Sequence, residues 1–81
     1  MTYTSYYSIK ERVEIKDLKD NLKETRERRG FTQRQIADRV NISERTYQRY
    51  EYGDSQPKAE TLILLAKALN TTVEDLIVSN P

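Results

Sequence analysis

The stretch "TQRQIADRVNISERTYQRYEYG", Thr32–Gly53, sets Ile36, Ala37, Val40, Ile42, Tyr47 and Tyr50 among glutamines and arginines, and it holds two helix-start signals close together. At the first, Thr32 and Gln35 have the spacing of a capping box, with Phe31 and Ile36 placed as a hydrophobic staple around it. At the second, Ser43 is a suitable N-cap, again with a staple pair, Ile42 and Tyr47. The helix between them is only about two turns long. It turns Ile36, Ala37 and Val40 inward, and Asn41 is suited to the left-handed conformation that would end it. The next helix carries Tyr47, Tyr50 and Glu51 on one side and Glu44, Arg45, Gln48 and Arg49 on the other, and Gly53 stops it.

Two helices joined by a turn of three to four residues, the first short and the second polar outside, have the form of a helix-turn-helix. Ala37 suits a place where the two backbones come close. A plain helical hairpin in a bundle is the other form such a pair can take, and propensity does not separate the two. Working outward, Ile15, Leu18, Leu22 and Thr25 recur at helical spacing before a glycine stop at Gly30. Beyond Gly53, "DSQP" reads as a loop, and Pro57 is tolerated in the first turn of a helix bearing Ala59, Leu62, Leu65, Ala66 and Leu69. Thr72 can cap a last short helix with Val73, Leu76 and Ile77. The expectation is an all-α domain of five helices over residues 15–79, preceded by an extension, residues 1–14. In the start of the chain Tyr7, Ile9, Val13 and Ile15 alternate with polar residues, a period of two that Glu11 breaks. An extended arm that pairs with a dimer mate or packs on the domain is one reading of it, and a disordered tail is the other.

Composition limits the function. The chain has 81 residues, 36% of them apolar, enough for one small domain with a modest core. It lacks both cysteine and histidine, so disulfides and the usual zinc ligands are missing and a reducing, cytoplasmic setting fits. No apolar run approaches a membrane span, and "MTYTSYYSIK" lacks the apolar core of a signal peptide. There are only two glycines and no glycine-rich phosphate loop, and no carboxylate pair has a supporting base. We therefore expect no catalytic residues, no cofactor and no metal site, and set an enzyme aside. Net charge is +1, but residues 26–58 hold eight basic and five acidic groups while residues 59–81 hold one and three. The middle of the chain is basic, though ordinary surface scatter would also give so small an excess.

From about Ile15 to Ile77 the chain resembles the phage-repressor (Cro/C1, or XRE) helix-turn-helix domains. The resemblance rests on Leu22 and Arg26 before Gly30, on "TQRQIADRV" with Gln33 and Ala37 in place, on "ISERTYQRYEYG", and on "TLILLAKALNTTVEDLI". Asn41 and Asn70 stand where glycine is common, and both tolerate left-handed geometry. What the resemblance implies is a five-helix, lambda-repressor-like domain that binds operator DNA as a dimer, with residues 1–14 outside it.

In such domains the second helix of the motif enters the major groove. By matched position Glu44, Arg45 and Arg49 would meet base edges, and Thr46 and Gln48 would lie nearer the phosphates. The chemistry agrees, because arginine grips guanine O6 and N7 with two hydrogen bonds and glutamate accepts from the cytosine amino group. Without the motif match the same residues would read as a solvated polar face. The family uses a glutamine at the position of Gln33 to touch phosphate and brace the reading helix, and Arg34, Ser43, Gln56 and Lys58 are further phosphate candidates. Arg26 and Glu51 both face inward, and an inward charge is costly unless paired. They are expected to form a structural salt bridge. Val73, Leu76, Ile77 and Val78 crowd a helix too short to bury them all, and the resemblance puts the dimer contact there. A transcriptional repressor working as a homodimer on a palindromic double-stranded operator is the leading expectation. The alternative is an antitoxin that represses its own operon and binds a toxin through the N-terminal extension; an anti-repressor is a further kind of protein partner. If the chain is the full protein, no self-cleavage or ligand-sensing domain follows the last helix.

Overall fold

The computed structural model describes residues 18–78, which form five helices and no strand. Helix α1 occupies residues 18–29, α2 Gln33–Arg39, α3 Glu44–Tyr52, α4 Ala59–Ala68 and α5 Val73–Ile77. The arm proposed from Tyr7, Ile9, Val13 and Ile15 lies outside the described residues.

Local signals account for where these helices begin. Thr32 makes a complete capping box: its hydroxyl accepts from the Gln35 amide at 3.0 Å, and the Thr32 amide donates to Gln35 Oε1 at 2.8 Å. Ser43 caps α3 through the Thr46 amide and Thr72 caps α5 through the Asp75 amide, each at 3.0 Å. Helix α4 differs. Its N-cap is Lys58, which makes no side-chain cap bond. Pro57 therefore precedes the cap and does not occupy the first helical turn, where its fixed backbone angle would also have been tolerated. The extended backbone at Lys58, ψ 163°, is what separates the two.

The helix ends share one device. After α1, α2, α3 and α4 the chain passes through a left-handed residue, respectively Gly30, Asn41, Gly53 and Asn70, with φ of 82°, 62°, 84° and 58°. Each is followed by the paired backbone bonds of a Schellman motif, for example Asn41 N–H to Asp38 O at 3.2 Å and Ile42 N–H to Ala37 O at 3.0 Å. This gives α2 and α3 their tight connection, since the chain reverses within the few residues from Val40 to Ser43.

The core is built from Leu18 and Leu22 of α1, Ile36, Ala37 and Val40 of the α2 segment, Tyr47 and Tyr50 of α3, Leu65, Ala66 and Leu69 around α4, and Leu76 of α5. Helix α2 packs on α3 and α4, and α4 packs on α5. Ala37 has no exposed surface, as close approach of α2 to a neighbour requires. Leu76 is also fully buried, which corrects its assignment to a dimer surface. Its side chain belongs to the monomer core because the short α5 turns it directly under α4, leaving Val73, Ile77 and Val78 half-buried. Two polar ties close the bundle. Asn21 Nδ2 donates to Leu76 O at 2.9 Å, and Arg29 donates from Nε to Leu69 O and from Nη2 to Asn70 O, at 3.0 and 2.9 Å. They satisfy carbonyls that the ends of α4 and α5 leave without helical partners.

Candidate nucleic-acid interface

The orientation of α3 is set by a buried polar network centred on Glu51, whose side chain is 2% exposed. Arg26 of α1 donates to both of its oxygens, Nε to Oε2 at 2.7 Å and Nη2 to Oε1 at 3.1 Å, the fork geometry of a bidentate pair. Arg26 Nη1 also donates to Phe31 O at 2.8 Å, so the same guanidinium holds the loop that leads into α2. The Tyr47 hydroxyl donates to Oε2 and Gln33 Nε2 donates to Oε1 at 3.0 Å. Among the described residues no buried side-chain polar atom is left without a hydrogen-bond partner. That completeness matters, because a buried carboxylate short of donors is strongly destabilising.

The charges respond as the contacts dictate. Burial works to raise the Glu51 carboxyl, but donation from Arg26, Tyr47 and Gln33 outweighs it and holds the group below its ordinary range. Hydrogen bonding to Glu51 raises Arg26 against an opposing cost of burial. Burial first, and then donation to Glu51, pushes the Tyr47 hydroxyl well above its ordinary range. At neutral pH the network is therefore one cation, one anion and one neutral phenol.

A second link runs across the turn. Gln48 Nε2 of α3 donates to Gln33 Oε1 of α2 at 3.2 Å, while Gln33 gives its own amide proton to Glu51. Gln33 is thus held between two points on α3, its side-chain orientation fixed by one bond accepted and one donated. Near the start of α3 the Ser43 hydroxyl donates to Thr46 Oγ1 at 2.8 Å while accepting from the Thr46 amide.

With Tyr47, Tyr50 and Glu51 buried, the helical period turns Arg45, Arg49 and Tyr52 to the opposite side, within a stripe about 60° wide. All three are exposed. Neither arginine has an ion-pair partner among the described residues. With Gln48 and Asp54 they line one shallow recess of about 230 Å³. Glu44, at the first position of α3, is exposed to the side of this stripe, and Thr46 and Gln48 are half-buried on its flanks. Arg34 of α2 and Gln56 and Lys58 of the α3–α4 loop are exposed. Of the α5 residues assigned to a dimer surface, Val73 and Ile77 pack against the core at partial exposure. Tyr52, 65% exposed, was not singled out in the sequence; its position seven residues after Arg45 was the available signal.

A tightly joined helix pair with its first member locked under the second, and two free arginines along the outer side of the second, defines a helix-turn-helix domain. Comparison with known proteins agrees: residues 22–76 match the family described as Helix-turn-helix (HTH_3), and the chain belongs to it. It is similar to the cryptic phage CTXphi transcriptional repressor RstR of Vibrio cholerae, 36% identical over 59 residues that make up 73% of this chain and 53% of the relative. Two Bacillus subtilis proteins are also similar: the uncharacterized HTH-type transcriptional regulator YqaE, 33% identical over 72% of this chain and 50% of its own length, and the HTH-type transcriptional regulator AnsR, 34% identical over the same shares. The chain spans about half the length of the curated relatives it matches. No solved structure matches it significantly.

Proposed function

We propose that this protein is a sequence-specific DNA-binding transcriptional regulator, a repressor that binds a palindromic operator as a homodimer with α3 in the major groove. The observation that carries the reading is the stripe of unpaired Arg45 and Arg49 on a helix whose other side is fixed by the Glu51 network. Two guanidinium groups four residues apart lie about 6 Å apart along the helix axis, and each addresses a different base pair, guanine by preference. Glu44 reads from the edge of the stripe. Gln33, Arg34, Ser43, Thr46, Gln48, Gln56 and Lys58 hold the phosphates, and Gln33 is suited to this because one of its two amide protons is free of Glu51.

Membership of the family supports the DNA-binding reading, and the names of the relatives support regulation by repression. The fold and the arginine stripe require no catalytic step, so the protein acts by occupying DNA. Val73, Ile77 and Val78 supply the contact between protomers, at the edge of α5. The experiment is selection of bound duplexes from a random pool. The expected site has two-fold symmetry with half-sites about 34 Å apart, one helical turn. An enriched site without symmetry would remove the homodimer from the reading, and failure to enrich any sequence would remove specific recognition.

A further inference from the structure

Among the described residues the exposed large hydrophobic side chains are Tyr52 on the α3 stripe and two neighbours on α4, Ile63 and Leu64, each 48% exposed. Helix α4 buries Leu65 and Ala66, so Ile63 and Leu64 lie on the side the core does not use. Glu60 and Lys67 are exposed as well, and at the helical period residues 60, 63, 64 and 67 share one face about 100° wide. Neither Glu60 nor Lys67 has an ion-pair partner among the described residues. Along α4 this face is acid, apolar, apolar, base. It is symmetric in position about the point midway between Ile63 and Leu64, and opposite in charge at its two ends.

Such a face is complementary to itself. A second α4 laid antiparallel across a two-fold axis at that midpoint places Ile63 against Leu64 of the second copy, and Glu60 against Lys67 of the second copy, each pair occurring twice. A parallel partner in register sets Glu60 against Glu60 and Lys67 against Lys67, and a shifted one sets charge against apolar surface. We propose that α4 is an isologous interface through which this chain pairs with a second copy of itself, separate from the α5 contact. The four side chains give a contact below the roughly 1,200 Å² of standard stable interfaces, so association in free solution is weak. Copies already held side by side on DNA would gain most, because the second contact is then intramolecular. That gain rests on the DNA-binding reading; the pairing itself does not.

The test is sedimentation velocity of the full chain over a micromolar to millimolar series. Wild type should show a concentration-dependent step to a species twice the mass of the one below it. Glu60→Lys and Lys67→Glu each bring like charges together at two places and should move that step at least about tenfold higher in concentration. The double variant Glu60→Lys/Lys67→Glu recreates both pairs in reversed sense and should return the step to its wild-type position. All four side chains are exposed, and circular dichroism melts check that every variant is folded. Absence of the step in wild type, single variants that associate as wild type does, or a double variant that fails to recover would each overturn the proposal. Arg45→Ala/Arg49→Ala separates the two readings, since it should leave the association step in place whatever it does to DNA binding.

Discussion

Glu51 shows how one residue ties three helices together. Its carboxylate receives Arg26 of α1, Gln33 of α2 and Tyr47 of its own α3, so its removal frees several groups at once. Arg26→Ala leaves the carboxylate buried without its cation and is expected to cost about 3–5 kcal/mol in urea unfolding, a large part of the stability of a domain this size. The pH dependence follows from the directions of the shifts. Glu51 titrates lower in the fold than in the unfolded chain, so its contribution is complete above the ordinary carboxyl value of 4.5 and is lost as pH falls through the folded value. Tyr47 titrates higher in the fold, so its contribution is complete below the ordinary phenol value of 10.0 and declines as pH rises above it. Urea midpoints across pH should thus fall at both extremes, and Tyr47→Phe should flatten the alkaline limb. Arg26 and Glu51 were legible in the sequence because each is a charge at an inward helical position. The Gln33–Gln48 bond was not, because it depends on how α2 crosses α3, and the share of Tyr47, four residues before Glu51 on the same helix, depends on its hydroxyl reaching a carboxylate that Arg26 holds.

At the scale of the elements, helix starts and stops were the most readable features. A cap needs only a side chain of the right reach within three residues, and Thr32, Ser43 and Thr72 supply one each. Asn41 and Asn70 end α2 and α4 in left-handed geometry, which a short polar side chain tolerates and a β-branched one does not. Asn41→Val is therefore expected to lower stability by about 1–2 kcal/mol, while Asn41→Gly should be near neutral, as thermal melts would show. The position of Pro57 was ambiguous because proline suits a first helical turn and the residues just before one alike. Leu76 was misplaced because α5 is too short for its period to tell an inward face from an outward one. Within the proposed interface, α3 and the α3–α4 loop have different work. Lys58→Ala should weaken binding to all duplexes similarly and lower the slope of log affinity against log salt by about 0.9 for each phosphate it no longer neutralises. Binding titrations of that variant across a salt series would measure the change.

For the whole molecule, the five helices form a frame in which the α1 contacts at Glu51 and at the α4 end make the position of α3 a property of the bundle. The fold was legible because every level of the sequence agreed on it, from the capping box at Thr32 to the inward Ala37. Association was less so, since the free surface of a helix emerges only when its buried side is known; Ile63 and Leu64 read as ordinary helix apolars until α4 is seen to bury Leu65 and Ala66 instead. The proposed reading of bases by α3 rests on Arg45 and Arg49, exposed on the side of the helix opposite Tyr47, Tyr50 and Glu51. Its most direct test is quantitative gel shifts of wild type, Arg45→Ala and Arg49→Ala on the selected operator and on random duplex, each at several salt concentrations. Each substitution should cost about 1–3 kcal/mol on the operator, relax preference at one position per half-site, and affect random duplex far less. Equal losses on operator and random duplex would make α3 a backbone clamp and contradict its role as the reading helix.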